Sequence, residues 1–416
     1  MYANYTSTIG GAYINAVGID VSKGKSMIAI MRPFGELVEK PFEISHVASE
    51  LGKLADLLKR LNGETRIVME YTGRYYQPIA RYLHEAGLYV CVVHAKLVHD
   101  FGNNSIRRVK TDKADALKIA NYAIANWISL KRYTPEDDSR LLLKTYSRQY
   151  NQYTKLKVSL KNNLIALLDL TFPGVNLLFS NPMRDDGHEK WVDFAAQFWH
   201  CECISRISLP RFTAQYNNWC TKNGYYGSHI KAAEIYELAI CQVPSSPCCQ
   251  SMKSLITQAI NQVNAISSTL ADVRTNMRDL TASLPEFEIL LAMRGGGNVL
   301  GPQLMAEIGD VRRFAHKESL VAFAGVDAPL FRSGSFESTS RSISKRGSPA
   351  LRKTLFQVMA CLLQTAPNDD VVFQFLDRKH SEGKRFYVYM VAGCNKFLRI
   401  YYARVKSSLE THDIAV

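Results

Sequence analysis

Two short apolar runs in this chain each end in a carboxylate, and that pattern restricts the fold more than any other feature. Ala16-Val17-Gly18-Ile19 ends at Asp20, and Ile67-Val68-Met69 ends at Glu70. Runs of this length between turn residues read as buried strands. A carboxylate at the end of a buried strand is costly unless something pairs with it. Two more acids, Asp112 and Asp115, stand in Lys110-Thr111-Asp112-Lys113-Ala114-Asp115-Ala116. That stretch reads as the start of a helix capped by Thr111. Acids three apart share a helical face. The cheapest partner for several clustered carboxylates is a hard divalent cation such as magnesium. Two such ions can clamp the attacking and leaving oxygens of a phosphodiester.

Periodicity and turn residues predict strands at 17–21, 26–31 and 36–40, a helix over 45–61 and a strand at 66–70. A helix at 77–86, a strand at 88–93 and a helix over 112–127 follow. Three antiparallel strands, helix, strand, helix, strand and helix is the order of a ribonuclease H-like domain. It brings Asp20, Glu70 and the Asp112/Asp115 pair from three elements to one sheet edge. This domain is expected over 15–135, after a flexible leader at 1–14.

Between 140 and 161 stand Arg140, Lys144, Arg148, Lys155, Lys157 and Lys161, and no acid. A helix so charged is expected to lie along phosphates, against the bland alternative of a solvated face. Apolar spacing at Leu255, Ile256, Ala259, Ile260, Val263, Ile266 and Leu270 predicts a second long helix over 252–284. It is expected to pair with 141–170 as an antiparallel coiled coil. Proline and glycine interrupt 175–250, so 136–284 reads as a helical arm with an insert, serving as spacer or dimerisation element. In 285–416, helices at 287–293 and 300–308 flank the glycine hairpin 294–297, a shape that offers backbone amides to phosphate. A helix at 319–325, a Ser/Gly/Arg-rich loop at 327–348 and a helical block over 349–408 complete the chain.

A length of 416 residues allows two or three domains. The net charge of +13 is spread along the chain and points to a polyanionic partner, nucleic acid first. The nine cysteines lack framework spacing and read as reduced thiols in a cytoplasm. No secretory leader or membrane-spanning run is read, so a cytoplasmic, nucleoid-associated protein without a membrane partner is expected. His200-Cys201-Glu202-Cys203, Cys220 and Cys248-Cys249 invite a zinc reading but lack two Cys-x-x-Cys pairs, so they read as partly buried thiols. Phe386, Tyr387, Tyr389, Phe397, Tyr401 and Tyr402 have helical spacing and read as core rather than base-stacking platforms.

Gly18-Ile19-Asp20-Val21-Ser22-Lys23, Met69-Glu70-Tyr71-Thr72-Gly73 and the Asp112 motif resemble the N-terminal domain of the DEDD transposases of insertion-sequence family 110. The pilin-gene invertase belongs to the same group. Ala306-Glu307-Ile308-Gly309-Asp310-Val311-Arg312-Arg313-Phe314, Phe323-Ala324-Gly325-Val326, Ser333-Gly334 and Ile343-Ser344-Lys345-Arg346-Gly347 resemble that family's C-terminal transposase domain. Seven motifs in order between residues 15 and 360 carry the resemblance. One departure is Met293-Arg294-Gly295-Gly296-Gly297, where the family has a proline-containing hairpin.

The resemblance implies a site-specific DNA recombinase of a mobile element, joining donor and target double-stranded DNA. It implies a RuvC-like first domain in which Asp20, Glu70, Asp112 and Asp115 hold magnesium, two ions per site, and a serine nucleophile that by position is Ser333. It also implies a structured noncoding guide (bridge) RNA, with base pairing supplying sequence recognition. A homodimer pairing into a homotetramer is expected, because strands are exchanged between two duplexes.

Nucleic-acid contacts are placed at Lys23, Arg74, Arg107, Arg108, Lys110, Lys113, Arg140, Lys144 and Arg148. Arg332, Arg341, Lys345 and Arg346 would grip phosphates beside Ser333 or offset charge developing on phosphorus. A serine hydroxyl must be activated, and His316 is the closest histidine in sequence, so activation by a metal of the other domain is expected. Two other readings remain. A structure-selective, metal-dependent endonuclease, similar to a Holliday-junction resolvase, would hydrolyse DNA without needing Ser333. A non-catalytic RNA-binding protein would not need four acids. An actin-like ATPase shares Gly-Ile-Asp, but its second phosphate loop and adenosine motif are not found.

Overall fold

A computed structural model of the chain describes residues 8–9, 12–71, 73–101, 111–179, 184, 186–328, 332–333, 336–337 and 342–415. The chain divides into two compact units, Met1–Pro135 and Glu136–Val416.

The first unit is built on β1 (Thr8–Ile9), β2 (Ala12–Val21), β3 (Lys25–Met31), β4 (Leu37–Ser45), β5 (Glu64–Glu70) and β6 (Tyr89–Val93). Its helices are α1 (Ala48–Lys59), α2 (Tyr76–Glu85), α3 (Ala95–Phe101) and α4 (Asp112–Ala125). The sheet order is β4-β3-β2-β5-β6, with β1 paired to β2. β3 runs antiparallel to β2 and β4, while β5 runs parallel to both β2 and β6.

Alternation along the strands sends apolar side chains to both faces. Val17, Ile19, Ile28, Ile30, Ile67 and Met69 pack with Leu51, Leu54 and Leu58 of α1 and Ile79 and Leu83 of α2. Ala16, Val68 and Cys91 pack with Ile119 and Ala123 of α4. Met27, Ala29 and Met31 meet Ala116 and Ala120 of the same helix. Each large side chain buried this way contributes about 1.5–3 kcal/mol.

The sheet begins earlier than the expected leader allows. Thr8–Ile9 pairs with the start of β2, and Ile14 and Asn15 are buried. Asn15 Nδ2 donates to Asn62 O at 2.9 Å, fixing the chain directly after the stretch 1–14 that was read as a leader.

The second unit is mainly helical. It comprises α5 (Asp138–Asp169), α6 (Lys190–Gln197), α7 (Glu202–Ser205), α8 (Leu209–Lys222), α9 (His229–Cys241), α10 (Gln250–Ala282), α11 (Phe287–Leu291), α12 (Leu300–Ile308) and α13 (Lys317–Ala324). A hairpin of β7 (Arg332–Ser333) and β8 (Phe336–Glu337) follows, then α14 (Pro349–Thr365), α15 (Val371–Ser381) and α16 (Phe386–Ala415). The hairpin lies inside the stretch read from sequence as plain loop.

Two cores are strung along the α5–α10 pair. Leu143 of α5 and Val273 and Met277 of α10 share one core with Leu304, Leu355 and Phe397. Leu164 and Leu168 share the other with Ile256, Ile260 and Val263. The start of α5 therefore meets the end of α10 and the reverse, which makes the helices antiparallel.

The block 175–250 is not a loose insert. Trp191, Phe194, Phe198, Phe212, Tyr216 and Trp219 form its packed aromatic centre. The C-terminal aromatics divide: Tyr389, Phe397, Tyr401 and Tyr402 are buried, but Phe386 and Tyr387 are exposed. Among the described residues no helix is long and apolar enough to cross a membrane.

Candidate active site

The four acids of the first unit come together through strand register and one close helix contact. In the parallel β2–β5 pair, Gly18 faces Val68 and Ile19 faces Met69. Asp20 and Glu70 occupy the next step along neighbouring strands, which lie about 4.8 Å apart. By alternation Asp20 shares the face of Ala16 and Gly18, and Glu70 shares that of Val68. This is the face covered by α4.

Gly18 sets how near α4 can come. A Cβ at this position would lie 2.2 Å from Ala116 O and 2.4 Å from Ala120 N. Backbone therefore packs on backbone, two residues from Asp20. The helix start is fixed by Thr111, whose hydroxyl accepts from Ala114 N at 3.2 Å. Asp112 and Asp115 lie in that first turn, where the helix dipole favours negative charge.

The charges act on one another. Burial first, then Asp115 and Asp112, push the Asp20 carboxyl up to about 6 from its ordinary 3.8. Burial also raises Glu70, with Asp20 and Asp115 adding to the rise while Lys118 and His99 oppose it. Carboxylates held together at this cost form an all-oxygen donor set that a hard divalent cation fits. The four are not collapsed onto one point. Among the described residues, the group of three possible ligands within 4.8 Å of one another is His200, Glu202 and Cys248, in the second unit. Like charges without a counter-ion hold apart.

The serine loop has a closed neck. Ser344 N donates to Asp327 O at 2.8 Å, Lys345 N to Gly325 O at 3.1 Å and Ser348 N to Phe323 O at 2.7 Å. Ser344 Oγ also hydrogen-bonds the Asp327 carboxylate. A Cβ on Gly347 would fall 2.0 Å from Phe323 O, so only glycine lets the two sides meet. Arg352 Nη1 donates to Ala324 O at 3.0 Å and fastens α14 beneath. Ile343-Ser344-Lys345-Arg346-Gly347 is thus one side of this neck, and Ser333 lies on β7, opposite Phe336 on β8.

The basic helix departs most from expectation. Arg140 is buried and forms ion pairs with Glu286 and Asp137. Lys144 is mostly covered and bonds Glu136 at 3.2 Å. Lys157 and Lys161 both reach Glu189, at 3.0 and 2.6 Å. The stretch 140–161 has no acid of its own and takes acids from just before the helix and from other elements, so Arg140 and Lys144 are structural and not free for phosphate. Arg148 is exposed, with Glu307 Oε1 3.7 Å away. Lys23, Arg74, Lys113, Lys345 and Arg346 are also exposed. Arg107, Arg108, Lys110 and Arg341 lie outside the described residues, as do Ser335, Ser338 and Ser340. Arg332 shares β7 with Ser333.

Three residues escaped sequence reasoning. Gly18 carried a signal, a strand glycine opposite alanines four apart in a helix. Gly347 carried only its place in a motif. Glu307 likewise carried only its place in a motif. It is 2% exposed, accepts from Ser348 Oγ at 3.0 Å through Oε2, and keeps a second oxygen without a hydrogen-bond partner.

A carboxylate cluster on an α/β unit, joined to a helical unit with a closed serine loop, has the equipment of an enzyme that cleaves and rejoins DNA strands. Comparison with known proteins gives the family. The DEDD transposase model of the IS110 group matches residues 17–173, and the model described as transposase IS116/IS110/IS902 family matches residues 287–371. The chain belongs to this transposase family. A 44.8 kDa protein of insertion element IS116 from Streptomyces clavuligerus is 24% identical over 76% of this chain and 76% of its own. The pilin gene-inverting protein of Moraxella bovis is 20% identical over 82% of this chain and 80% of its own. A 42 kDa protein of insertion element IS900 from Mycobacterium paratuberculosis is 24% identical over 44% of this chain and 45% of its own.

Proposed function

We propose that this transposase is a site-specific recombinase that joins donor and target duplexes under the direction of a structured RNA from its own element. In this reading Asp20, Glu70, Asp112 and Asp115 are magnesium ligands and Ser333 is the nucleophile. The observation that carries it is the mutual electrostatic penalty of four carboxylates drawn from β2, β5 and α4. The strand order, three antiparallel strands with two more parallel to the first, supports a RuvC-like unit.

Bound magnesium would neutralise charge developing on the phosphate oxygens and make a coordinated hydroxyl more acidic. The chain does the rest. The sheet fixes Asp20 and Glu70, and the capped start of α4 fixes Asp112 and Asp115. Lys118 and His99 favour the ionised form of Glu70. Ser333 Oγ forms a bond to phosphorus as the phosphorus–oxygen bond to the leaving deoxyribose breaks. The proton lost by the serine is balanced by the one the leaving oxygen gains. The phosphoserine link retains the phosphodiester energy, so a second deoxyribose hydroxyl can reverse the step without an external energy source. Exposed Lys345 and Arg346, at the loop neck, grip the flanking phosphates.

The net charge of +13 supports an extended polyanionic partner, and RNA together with DNA meets that need. Strand exchange between two duplexes calls for paired chains. Leu142, Leu156 and Val158 of α5 and Leu255 of α10 stay exposed despite their apolar character, which supports a coiled-coil contact between copies in a dimer or tetramer.

The test is an adduct trap with RNA transcribed from the DNA flanking the gene. Wild-type protein should yield a protein–DNA adduct only with that RNA, and Ser333→Ala should bind both nucleic acids and yield none. DNA cut without any adduct would replace this reading with a metal-dependent nuclease.

A further inference from the structure

The second unit holds a cluster that strand transfer does not use. His200 precedes α7, Glu202 begins it, and Cys248 lies in the turn that leads into α10. Each offers a ligand atom, and the three atoms lie within 4.8 Å of one another. Cys203, next to Glu202 on α7, is near enough to Cys248 for the two thiols to influence each other, just outside that group of three. Nitrogen, oxygen and one sulfur therefore converge from two distant segments, with a second sulfur beside them.

The histidine is already set in the right form. Its Nε2 faces Ser246 O at 3.1 Å, and a carbonyl can only accept, so Nε2 carries the proton. Nδ1 then keeps its lone pair and accepts from the Glu202 amide at 3.1 Å. Cys201 Sγ also lies 3.9 Å from Nδ1, so a cation there would replace the amide and this thiol contact. A ring whose far N–H is held by a backbone carbonyl is the usual support for a metal-ligating histidine. His200 is fully buried, which also excludes competing water.

The charge balances. Two thiolates and one carboxylate around a divalent ion leave one negative charge, and Arg206, paired with Glu202, offsets it. Thiolate and imidazole donors select zinc over magnesium. The surroundings need a tie at this point. Ser245 N and Ser246 N both donate to Leu170 O at 3.0 Å, so the end of α5, the α7 segment and the turn before α10 meet here. Cys220 and Cys249, grouped with these residues by sequence, stand apart: Cys220 is buried in the aromatic core with Tyr216, and Cys249 is exposed.

We propose that His200, Glu202, Cys203 and Cys248 form a structural zinc site that ties α7 to the start of α10. It is independent of the carboxylate tetrad and of the recombinase reading.

The experiment is metal analysis and cobalt substitution on the full chain, repeated in an Asp20→Ala background to remove the other metal site. The expected result is about one zinc per chain in both backgrounds. The cobalt form should show thiolate-to-metal charge-transfer absorption in the near ultraviolet. Cys203→Ser and Cys248→Ser should each lose the zinc and that absorption, while Cys249→Ser keeps both. Wild-type protein without zinc, a cobalt spectrum without thiolate bands, or a Cys203–Cys248 disulfide in the non-reduced protein would overturn the proposal, whatever the variants do.

Discussion

Arg140 Nη2 donates to Glu286 Oε2 at 3.0 Å across 146 residues of sequence, with both side chains almost wholly buried. The guanidinium reaches Asp137 as well, at 2.9 Å. The pair joins the first turn of α5 to the entry of α11, so it holds the helical unit together rather than meeting a ligand.

Removing either partner leaves an uncompensated buried charge, which costs about 3–5 kcal/mol. Arg140→Ala and Glu286→Ala should each lower the urea midpoint accordingly. The double change Arg140→Met with Glu286→Leu should recover most of the loss. Stability near wild type for either single variant would remove this role.

In the proposed function, phosphate contact falls instead to the exposed cations at the loop neck. Lys345→Ala and Arg346→Ala should each reduce the salt dependence of DNA binding by about one unit of log–log slope. Lys144→Ala should leave that slope unchanged, since Lys144 is committed to Glu136. Titrations across ionic strength separate the two cases.

Gly18→Ala should disturb the tetrad without touching a carboxylate. The new methyl would collide with the Ala116 and Ala120 backbone of α4, an overpacking cost of about 1–3 kcal/mol or more. The shifted helix carries Asp112 and Asp115 away from Asp20. Thermal melts should show a lower midpoint and little gain on adding magnesium. A full magnesium response would contradict the placement of α4.

The raised Asp20 carboxyl gives a pH signature in metal-free protein. Between 3.8 and about 6 the folded chain holds a proton that the unfolded chain has released. The Asp20 contribution to stability is therefore present at the acid end and lost as pH rises through that window. Asp20→Asn should match wild type near pH 4 and melt higher above pH 6. Magnesium at neutral pH should reverse the order, because only wild type gains binding energy. Parallel melting curves at all pH values would contradict the burial of this charge.

What the sequence made legible was local. Apolar runs ending in Asp20 and Glu70 marked the strands and their shared edge, and Thr111 marked the start of α4. Long-range pairing was not legible. Nothing near Arg140 or Lys157 announces Glu286 or Glu189, so the acid-free stretch 140–161 looked like a phosphate track. The 175–250 block was hidden by its prolines and glycines, although Trp191, Phe194, Phe212 and Trp219 already held the aromatic mass of a core. Gly18 was read as part of a motif, and only the close approach of Ala116 and Ala120 gives it a physical reason.

The proposed metal site depends most directly on Asp20. The deciding measurement is strand joining between donor and target duplexes by the full chain with its RNA, comparing wild type and Asp20→Ala at matched magnesium. Wild type should join strands only when magnesium is present. Asp20→Ala should join none while still binding both nucleic acids and keeping its fold. Full joining by Asp20→Ala, or by wild type in the presence of a chelator, would contradict the account.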